Sequence, residues 1–355
     1  MKIAVITCYD QNDHIRARMM RKGFSDVPGV ETIIVRNKNK GLLRYLETPW
    51  KILVTRIKVQ PDAWVITFRG YEMLPLVLLI KGRKPLIFDE MINAAEYLHE
   101  HKVIKQGSFL DKVFGVFYGT LLKRCRFILA DTDAHADLSA ELSKVDRKRY
   151  VTVPIGTEEA LFYPDHTAAP NQPGKFEVFY YGVMTKLHGL DTFLEAAAML
   201  ASHPDIVFRV GGDKGKSKAK VEAAVTNGAH ITYHDWFEYK QELPRLIRGS
   251  QLMVGGPFGG SAQAQFVITT KTFQGLACEV PVLIGRNKVN DAFVDIHNSL
   301  VVPQGNAKAI AEAILWAYLH PKQLHNVAKA GRQLYEQEFS DTQIAFRLTA
   351  LVKGL

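Results

Sequence analysis

The stretch "ITTKTFQGLACEVPVLIG", residues 268–285, decides the fold. An apolar run, Pro281 to Ile284, follows a short amphipathic helix whose entrance carries Thr269, Thr270 and Lys271. Gln274 falls one helical turn further in, on the side of Thr270 and Lys271. A helix start offers free backbone N–H groups and the positive end of the dipole, so it favours an anion. Lys271 adds a point charge. The Gln274 amide both accepts and donates, as pairing with a ribose diol requires. The plain alternative is a capping Thr270, a solvated Lys271 and a surface Gln274.

The same helix-then-strand unit recurs outward in both directions. Upstream, Phe176–Tyr181, Ile206–Val210, Ile231–Tyr233 and Leu252–Val254 read as strands, and Val282–Ile284 and Leu300–Val302 complete the set. "GLDTFLEAAAML", 189–200, reads as a helix that Asp191 can cap, with Leu190, Leu194, Ala197 and Ala198 on one stripe. The tail from Ala307 to Val352 is helical, with breaks at Pro321 and near Ser340. Before "TAAPNQPGK", 167–175, which reads as an inter-domain linker, the pattern is the same. Lys2–Thr7, Glu31–Arg36, Ala63–Thr67, Pro85–Phe88, Phe127–Ala130 and Tyr150–Val153 alternate with helical stretches near 14–23, 48–60, 70–81, 108–123 and 135–143. Continuous apolar strands separated by helices mean parallel sheets covered on both faces. The expectation is α/β: two tandem doubly wound, Rossmann-like domains facing a central cleft, with ligands outside the carboxyl ends of the strands.

A length of 355 residues fits two such cores. The longest clean apolar run is Met73 to Ile80, far short of a membrane span. The start, "MKIAVITCYD", lacks the pattern of a signal peptide. The three cysteines, Cys8, Cys125 and Cys278, form no metal-ligand spacing, and the expected location is cytoplasmic. The net charge is +9, and residues 1–60 hold twelve Lys/Arg against five Asp/Glu. Such a surplus attracts phosphate or anionic lipid. No nucleic-acid-binding motif accompanies it, so no nucleic acid is expected as a partner. The turn after the first strand, "TCYDQNDHIRA", contains no glycine, which excludes the dinucleotide fingerprint there. No P-loop and no G-x-S-x-G elbow occurs.

Three elements carry the chemistry. In "VFYYGVMTKLHGLDTFLEAAAML", 178–200, a strand leads through Gly182, Lys186 and His188 into a helix, a natural seat for a diphosphate. "FRVGGD", 208–213, ends a strand on Gly211 and Gly212, where a flat ring or a backbone can come close; a tight turn explains it equally. The helix entrance at 269–271 is the third. In the first half, "PLIFDEM" ends a strand on Asp89–Glu90, and "FILADTDAH" ends another on Asp131–Thr132 with His135 one turn on. Asp89, Asp131 and Thr132 can each be helix caps. His135 can donate to an acceptor or a phosphate.

In this order and spacing the elements resemble the retaining glycosyltransferases of the GT-B fold, family 4 or glycosyl transferases group 1. "VPIGTEEALFYP", 153–164, is similar to that family's "IPNGVD…F.P"; "YYGVMTKLHGLDTFLEAA" to its "GRL…EKGVD.LLEA"; and "KTFQGLACEVPVLIG" to its "PVLEAMACGKPVI". "KLHG" and "VITTK" are similar to the "PLHG" and "VIPNK" of a divergent bacterial branch. The resemblance implies an acceptor domain over 1–166, a nucleotide-sugar domain over 175–338, and a terminal helix, 339–355, crossing back to the first domain. It implies transfer of a sugar from a nucleotide-diphosphate donor to a hydroxyl on a glycan or lipid-linked glycan, with retention, without a metal and without a cofactor. Gly182, Lys186, His188, Gly211, Gly212, Thr270, Lys271 and Gln274 would hold the donor. Asp89 stands near the strand end where relatives carry a catalytic or acceptor-orienting His, and His135 is the second catalytic candidate.

The chain also departs from the family. Gln274 and Phe266 stand where two glutamates are usual, and Val183 and His188 replace the phosphate-binding Arg and Lys. Lys186 and Lys271 compensate in part. "GGPFGGSAQAQFVITTK", 255–271, carries extra residues. These departures keep a second reading open, a non-catalytic nucleotide-sugar-binding or scaffold subunit of a glycan-assembly system. A sugar-nucleotide 2-epimerase, which shares the fold, needs carboxylates around the sugar, and Phe266 argues against it. The basic N-terminal region makes an anionic membrane surface a candidate partner, with the protein peripheral on its inner face. The apolar row Phe109, Val113, Phe117 and Leu121 is read here as the buried face of a core helix rather than as a membrane contact.

Overall fold

The computed structural model describes the whole chain except residues 9–13, 40 and 101. Part of the glycine-free turn after the first strand therefore lies outside the described residues. The chain forms two compact units, Met1–Ile155 with Asp341–Leu355, and Gly156–Ser340.

The first unit carries strands Lys2–Thr7 (β1), Glu31–Arg36 (β2), Ala63–Ile66 (β3), Leu86–Met91 (β4), Phe127–Ala130 (β5) and Tyr150–Thr152 (β6). Its helices are Ile15–Ser25 (α1), Arg44–Lys58 (α2), Leu74–Ile80 (α3), Ala94–Glu100 (α4), Phe109–Leu122 (α5) and Asp133–Ser143 (α6). The sheet is parallel, in the order β2-β1-β3-β4-β5-β6. Alternate residues of β1 feed opposite cores. Ala4 and Ile6 join Ile52, Leu74, Tyr118 and Ala136 under α2, α3, α5 and α6. Ile3 and Val5 join Met20 and Phe24 of α1 on the other face.

The second unit carries Phe176–Tyr181 (β7), Ile206–Gly211 (β8), Ile231–His234 (β9), Leu252–Val254 (β10), Val282–Gly285 (β11) and Leu300–Val302 (β12). Its helices are Leu190–Met199 (α7), Lys218–Thr226 (α8), Glu242–Arg248 (α9), Thr270–Ala277 (α10), Ala307–Leu319 (α11) and Pro321–Glu338 (α12). All its strands are parallel, in the order β12-β11-β10-β7-β8-β9. The chain steps from β7 outward to β9, then returns to the other side of β7 with β10. The switch point between β7 and β10 is where open α/β sheets bind ligands.

The last helix, Asp341–Lys353 (α13), belongs to the first unit and packs on α1. Its Ile344, Leu348 and Leu351 are buried in the α1-side core. The helices approach so closely that a Cβ on Gly23 would lie 2.6 Å from Leu348 Cδ1.

Three expectations change. The unit boundary falls at Gly156, not after residue 166. The reason is local: Tyr239 donates to Glu158 Oε2 at 2.8 Å, Arg248 Nη1 to the Leu161 carbonyl at 3.1 Å, and Phe162 is fully buried. The Pro/Gly-rich stretch 167–175 is likewise bonded into this unit, with Asn171 Nδ2 donating to Glu177 Oε1 and the Leu246 carbonyl. Second, Asp191 does not cap α7. Gly189 occupies the cap in the left-handed region, and the Asp191 carboxylate pairs with exposed Lys220 at 2.7 Å. Third, of the predicted row on α5 only Leu121 packs, half-buried, against the core. Phe109, Val113 and Phe117 are 79%, 50% and 55% exposed. The helix docks instead through Tyr118, Gly119 and Leu122. Gly119 sets that face, because a Cβ there would collide with the Ser143 carbonyl oxygen.

Candidate functional site

At the carboxyl edge of the second sheet, glycines let four loops close on one another. Gly182 follows β7 with φ 142°, and Gly212 follows β8 with φ 97°; a Cβ on Gly212 would stand 3.3 Å from the Gly182 nitrogen. Lys186–His188 forms a single 3₁₀ turn ending on Gly189, φ 68°. A Cβ on Gly189 would meet the Phe258 carbonyl carbon at 2.5 Å, so this position requires glycine. The loop after β10 is laced to that turn. Gly259 N donates to the Leu187 carbonyl at 3.0 Å, and Tyr180 Oη donates to the His188 carbonyl at 2.6 Å.

The entrance of α10 completes the set. Thr269, not Thr270, holds the cap position, and its hydroxyl donates to the Gly255 carbonyl at 2.7 Å. The side chain therefore ties α10 to the end of β10 and leaves the first N–H groups of the helix without a side-chain cap. Lys271 is not solvated: it is 5% exposed. Its ammonium has no hydrogen bond or ion pair among the described residues and lies 5.9 Å from the centre of the Tyr180 ring. A Cβ on Gly182 would stand 3.5 Å from Lys271 Nζ and 3.8 Å from His188 Cε1, which places all three around one small space. Burial lowers the Lys271 pKa to about 7. Burial and then the Lys271 charge lower His188 to about 3, so its ring is neutral at pH 7. His188 Nδ1 is buried with no hydrogen-bond partner among the described residues.

Gln274 is buried, and its Oε1 accepts from the Tyr181 hydroxyl. Gly211 serves the sheet, since a Cβ there would collide with the His234 carbonyl oxygen. Lys186 is exposed and Thr270 half-buried. Phe266 is half-buried with Lys288 Nζ 5.2 Å from its ring centre. The structure thus brings Gly182, His188, Gly212 and Lys271 together, joins Gln274 to them through Tyr181, and leaves Lys186 and Thr270 outside that contact set. Tyr180 and Tyr181 were missed. Their only signal was their position at the end of a strand facing the quoted glycine loop.

In the first unit, Asp89 is 0% exposed and spent on Arg16, with Nη2–Oδ1 at 2.8 Å and Nε–Oδ1 at 3.0 Å. Arg16 Nη1 also donates to the carbonyls of Val153 and Pro154. Asp89 is therefore a tether of the sheet edge rather than a carboxylate open to an acceptor. Its neighbour Glu90 accepts from Tyr118 Oη at 2.7 Å and Asn93 Nδ2 at 3.1 Å, and burial raises its pKa to about 7. His135 is buried too, its Nδ1 2.6 Å from Asp131 Oδ1. Burial opposes its charge, but the Asp131 carboxylate overrides this and raises its pKa. Thr132 caps α6, accepting from His135 N at 3.2 Å.

Residues 164–334 match the family described as "Glycosyl transferases group 1". No curated protein matches the chain by sequence. Among solved structures, HepE of Anabaena in complex with UDP-glucose superposes with a TM-score of 0.75 over 100% of both chains at 12% identity. Sucrose-phosphate synthase from Thermosynechococcus elongatus gives 0.73 over 99% of this chain and 98% of its own, at 15% identity. A glycosyltransferase from Rickettsia africae gives 0.70 over 99% and 97%, at 14% identity. At such identities the superpositions speak for the fold. The chain has the GT-B fold, and its residues 164–334 match the glycosyl transferases group 1 family.

Proposed function

We propose that the protein transfers a sugar from a nucleotide-diphosphate donor to a hydroxyl acceptor on a glycan or lipid-linked glycan, with retention and without a metal. The observation that carries this reading is Lys271: a buried ammonium with no anionic partner among the described residues, beside Gly182 and at the N-terminus of α10. Such a cation is under-solvated until an anion arrives. A diphosphate seated there would gain the ammonium and the helix N–H groups together.

Transfer requires charge to be stabilised on the departing diphosphate as the bond from the anomeric carbon to the phosphate oxygen breaks. Preorganised N–H groups and Lys271 would supply that stabilisation electrostatically, and neutral His188 can donate one hydrogen bond. The acceptor oxygen would attack the face the diphosphate leaves. Its proton would pass to a departing phosphate oxygen, which keeps the anomeric configuration and needs no strong protein base. That HepE was solved with UDP-glucose is support by analogy. A lipid-linked acceptor would hold the protein peripherally on the inner face of a membrane.

One observation favours the second reading, a non-catalytic nucleotide-sugar-binding or scaffold subunit. Gln274 is held by Tyr181, and Phe266 lies under Lys288 where a carboxylate would serve the sugar. A thermal-shift screen against UDP, GDP, ADP, TDP and CMP, then the matching nucleotide sugars, tests both. One nucleotide should stabilise the wild type by a few degrees when near one hundred times its Kd, and Lys271→Ala should erase the effect. No shift with any nucleotide would defeat the transferase reading and leave the scaffold role as the better account. A shift without turnover of the donor would favour the second.

A further inference from the structure

We propose that the outer surfaces of α2 and α5 form a docking face for an anionic lipid bilayer. The proposal deepens the lipid-linked acceptor reading and rests on it for its purpose, but none of its residues belongs to the donor site.

The two faces of α2 are reversed. In a surface helix the apolar stripe faces the core. Here Leu46, Trp50, Leu53 and Ile57, spaced as one stripe, are 73%, 66%, 40% and 64% exposed. The opposite row, Thr48, Ile52 and Thr55, is the buried one. The single turn before the helix extends the outer row with Leu42 and Leu43, 83% and 60% exposed. On α5, Phe109, Leu110, Val113, Val116 and Phe117 are each at least half exposed. Between the two helices lies α3, packed on both, and it adds Leu79 at 76%. All three helices cover the same face of the sheet, so these side chains look away from it on one side.

Isolated exposed apolar residues need no explanation, but a continuous field of them marks an interaction surface. The occupant follows from the charge around it. Exposed Lys58, Lys112, Lys123 and Arg124 border the rows, and the first sixty residues hold seven more basic than acidic side chains. Basic residues beside outward apolar rows suit anionic headgroups over an acyl layer. A second copy would bring the same positive charge against itself. Among the described residues no helix is long and apolar enough to cross a membrane, so the contact would be interfacial.

The test is co-sedimentation of the full chain with vesicles of phosphatidylcholine, with and without phosphatidylglycerol. The wild type should bind the anionic vesicles about tenfold better, with binding that falls as salt rises. Leu46→Ser/Trp50→Ser/Phe117→Ser should lose binding while keeping the wild-type melting temperature within a few degrees, because all three side chains are exposed. Lys58→Glu/Lys112→Glu/Lys123→Glu should remove the preference for anionic lipid. Three outcomes overturn the proposal: a wild type that stays in the supernatant, a triple-serine variant that binds as well, or a wild-type dimer in light scattering that the triple-serine variant abolishes. No donor is present, so failure here is separable from failure of the nucleotide screen.

Discussion

Lys271 Nζ and the backbone of Gly182 share one space: a Cβ at position 182 would stand 3.5 Å from the ammonium. The absence of a side chain there keeps the approach to Lys271 open. Gly182→Val would fill it and would also strain a backbone held at φ 142°, at a cost of about 1–3 kcal/mol. Stabilisation by the cognate nucleotide should disappear. Gly174→Ala is the control for strain, since φ is 77° there and no atom lies within 4 Å of a Cβ. It should lower the melting temperature yet leave nucleotide stabilisation intact. Equal nucleotide shifts in wild type and Gly182→Val would remove Gly182 from the site.

Donor binding should take up a proton. The unliganded Lys271 pKa is lowered to about 7 by burial, and a diphosphate beside it would raise that value. Affinity should then be full below pH 7 and fall as pH rises above it, since each binding event must protonate a lysine that is increasingly neutral. Titration calorimetry at pH 8 in two buffers of different ionisation enthalpy would show proton uptake approaching one. Lys271→Met should show none. The apo protein carries the opposite sign. Its lysine is depressed relative to the unfolded chain, so stability should rise with pH from about 7 towards the ordinary lysine value of 10.5.

The architecture was largely legible because strand and helix periods alternate with little interruption. β1, β2, β5, β7, β10 and β12 have the bounds that apolar runs give them. What stayed hidden depends on contacts between distant segments. Nothing near Asp89 in sequence announces that Arg16 lies against it. Nothing in the row Phe109, Val113 and Phe117 tells which side of α5 meets the sheet, because that was decided by Gly119 against Ser143. The same holds for Lys271. Its place at a helix entrance could be read from the sequence, but its burial comes from Gly182, His188 and Tyr180, brought in by another strand.

Breaking the Arg16–Asp89 pair should cost stability rather than chemistry. Both side chains are 0% exposed, and Arg16 also holds the carbonyls of Val153 and Pro154. Asp89→Ala would strand a buried guanidinium, a change that costs about 3–5 kcal/mol. Denaturant melts should show that loss. Arg16→Met/Asp89→Leu should recover much of it, since replacing both partners by apolar groups avoids the unpaired charge. A catalytic Asp89 would give the reverse pattern, with activity abolished and the melt unchanged.

Glu90 should make the protein less stable as pH rises towards neutrality. Burial raises its pKa from 4.5 to about 7, against hydrogen bonds from Tyr118 and others that favour the charged form. The folded protein therefore holds a proton that the unfolded chain releases between those values. By linkage that contribution is fully present below pH 4.5 and is lost as pH rises through 7. Glu90→Gln mimics the protonated acid and keeps an amide oxygen in reach of the Tyr118 hydroxyl. Its melting temperature should vary less than that of the wild type across the same interval, with the two curves furthest apart at the upper end. His135 lies near this cluster, and Asp131 raises its pKa above the ordinary histidine value of 6.5 against the opposing effect of burial. The comparison must therefore be repeated in a His135→Asn background, where the difference between the chain with Glu90 and the chain with Glu90→Gln isolates the carboxyl. If those two curves stay parallel in both backgrounds, Glu90 is ionised in the folded protein and burial does not govern it.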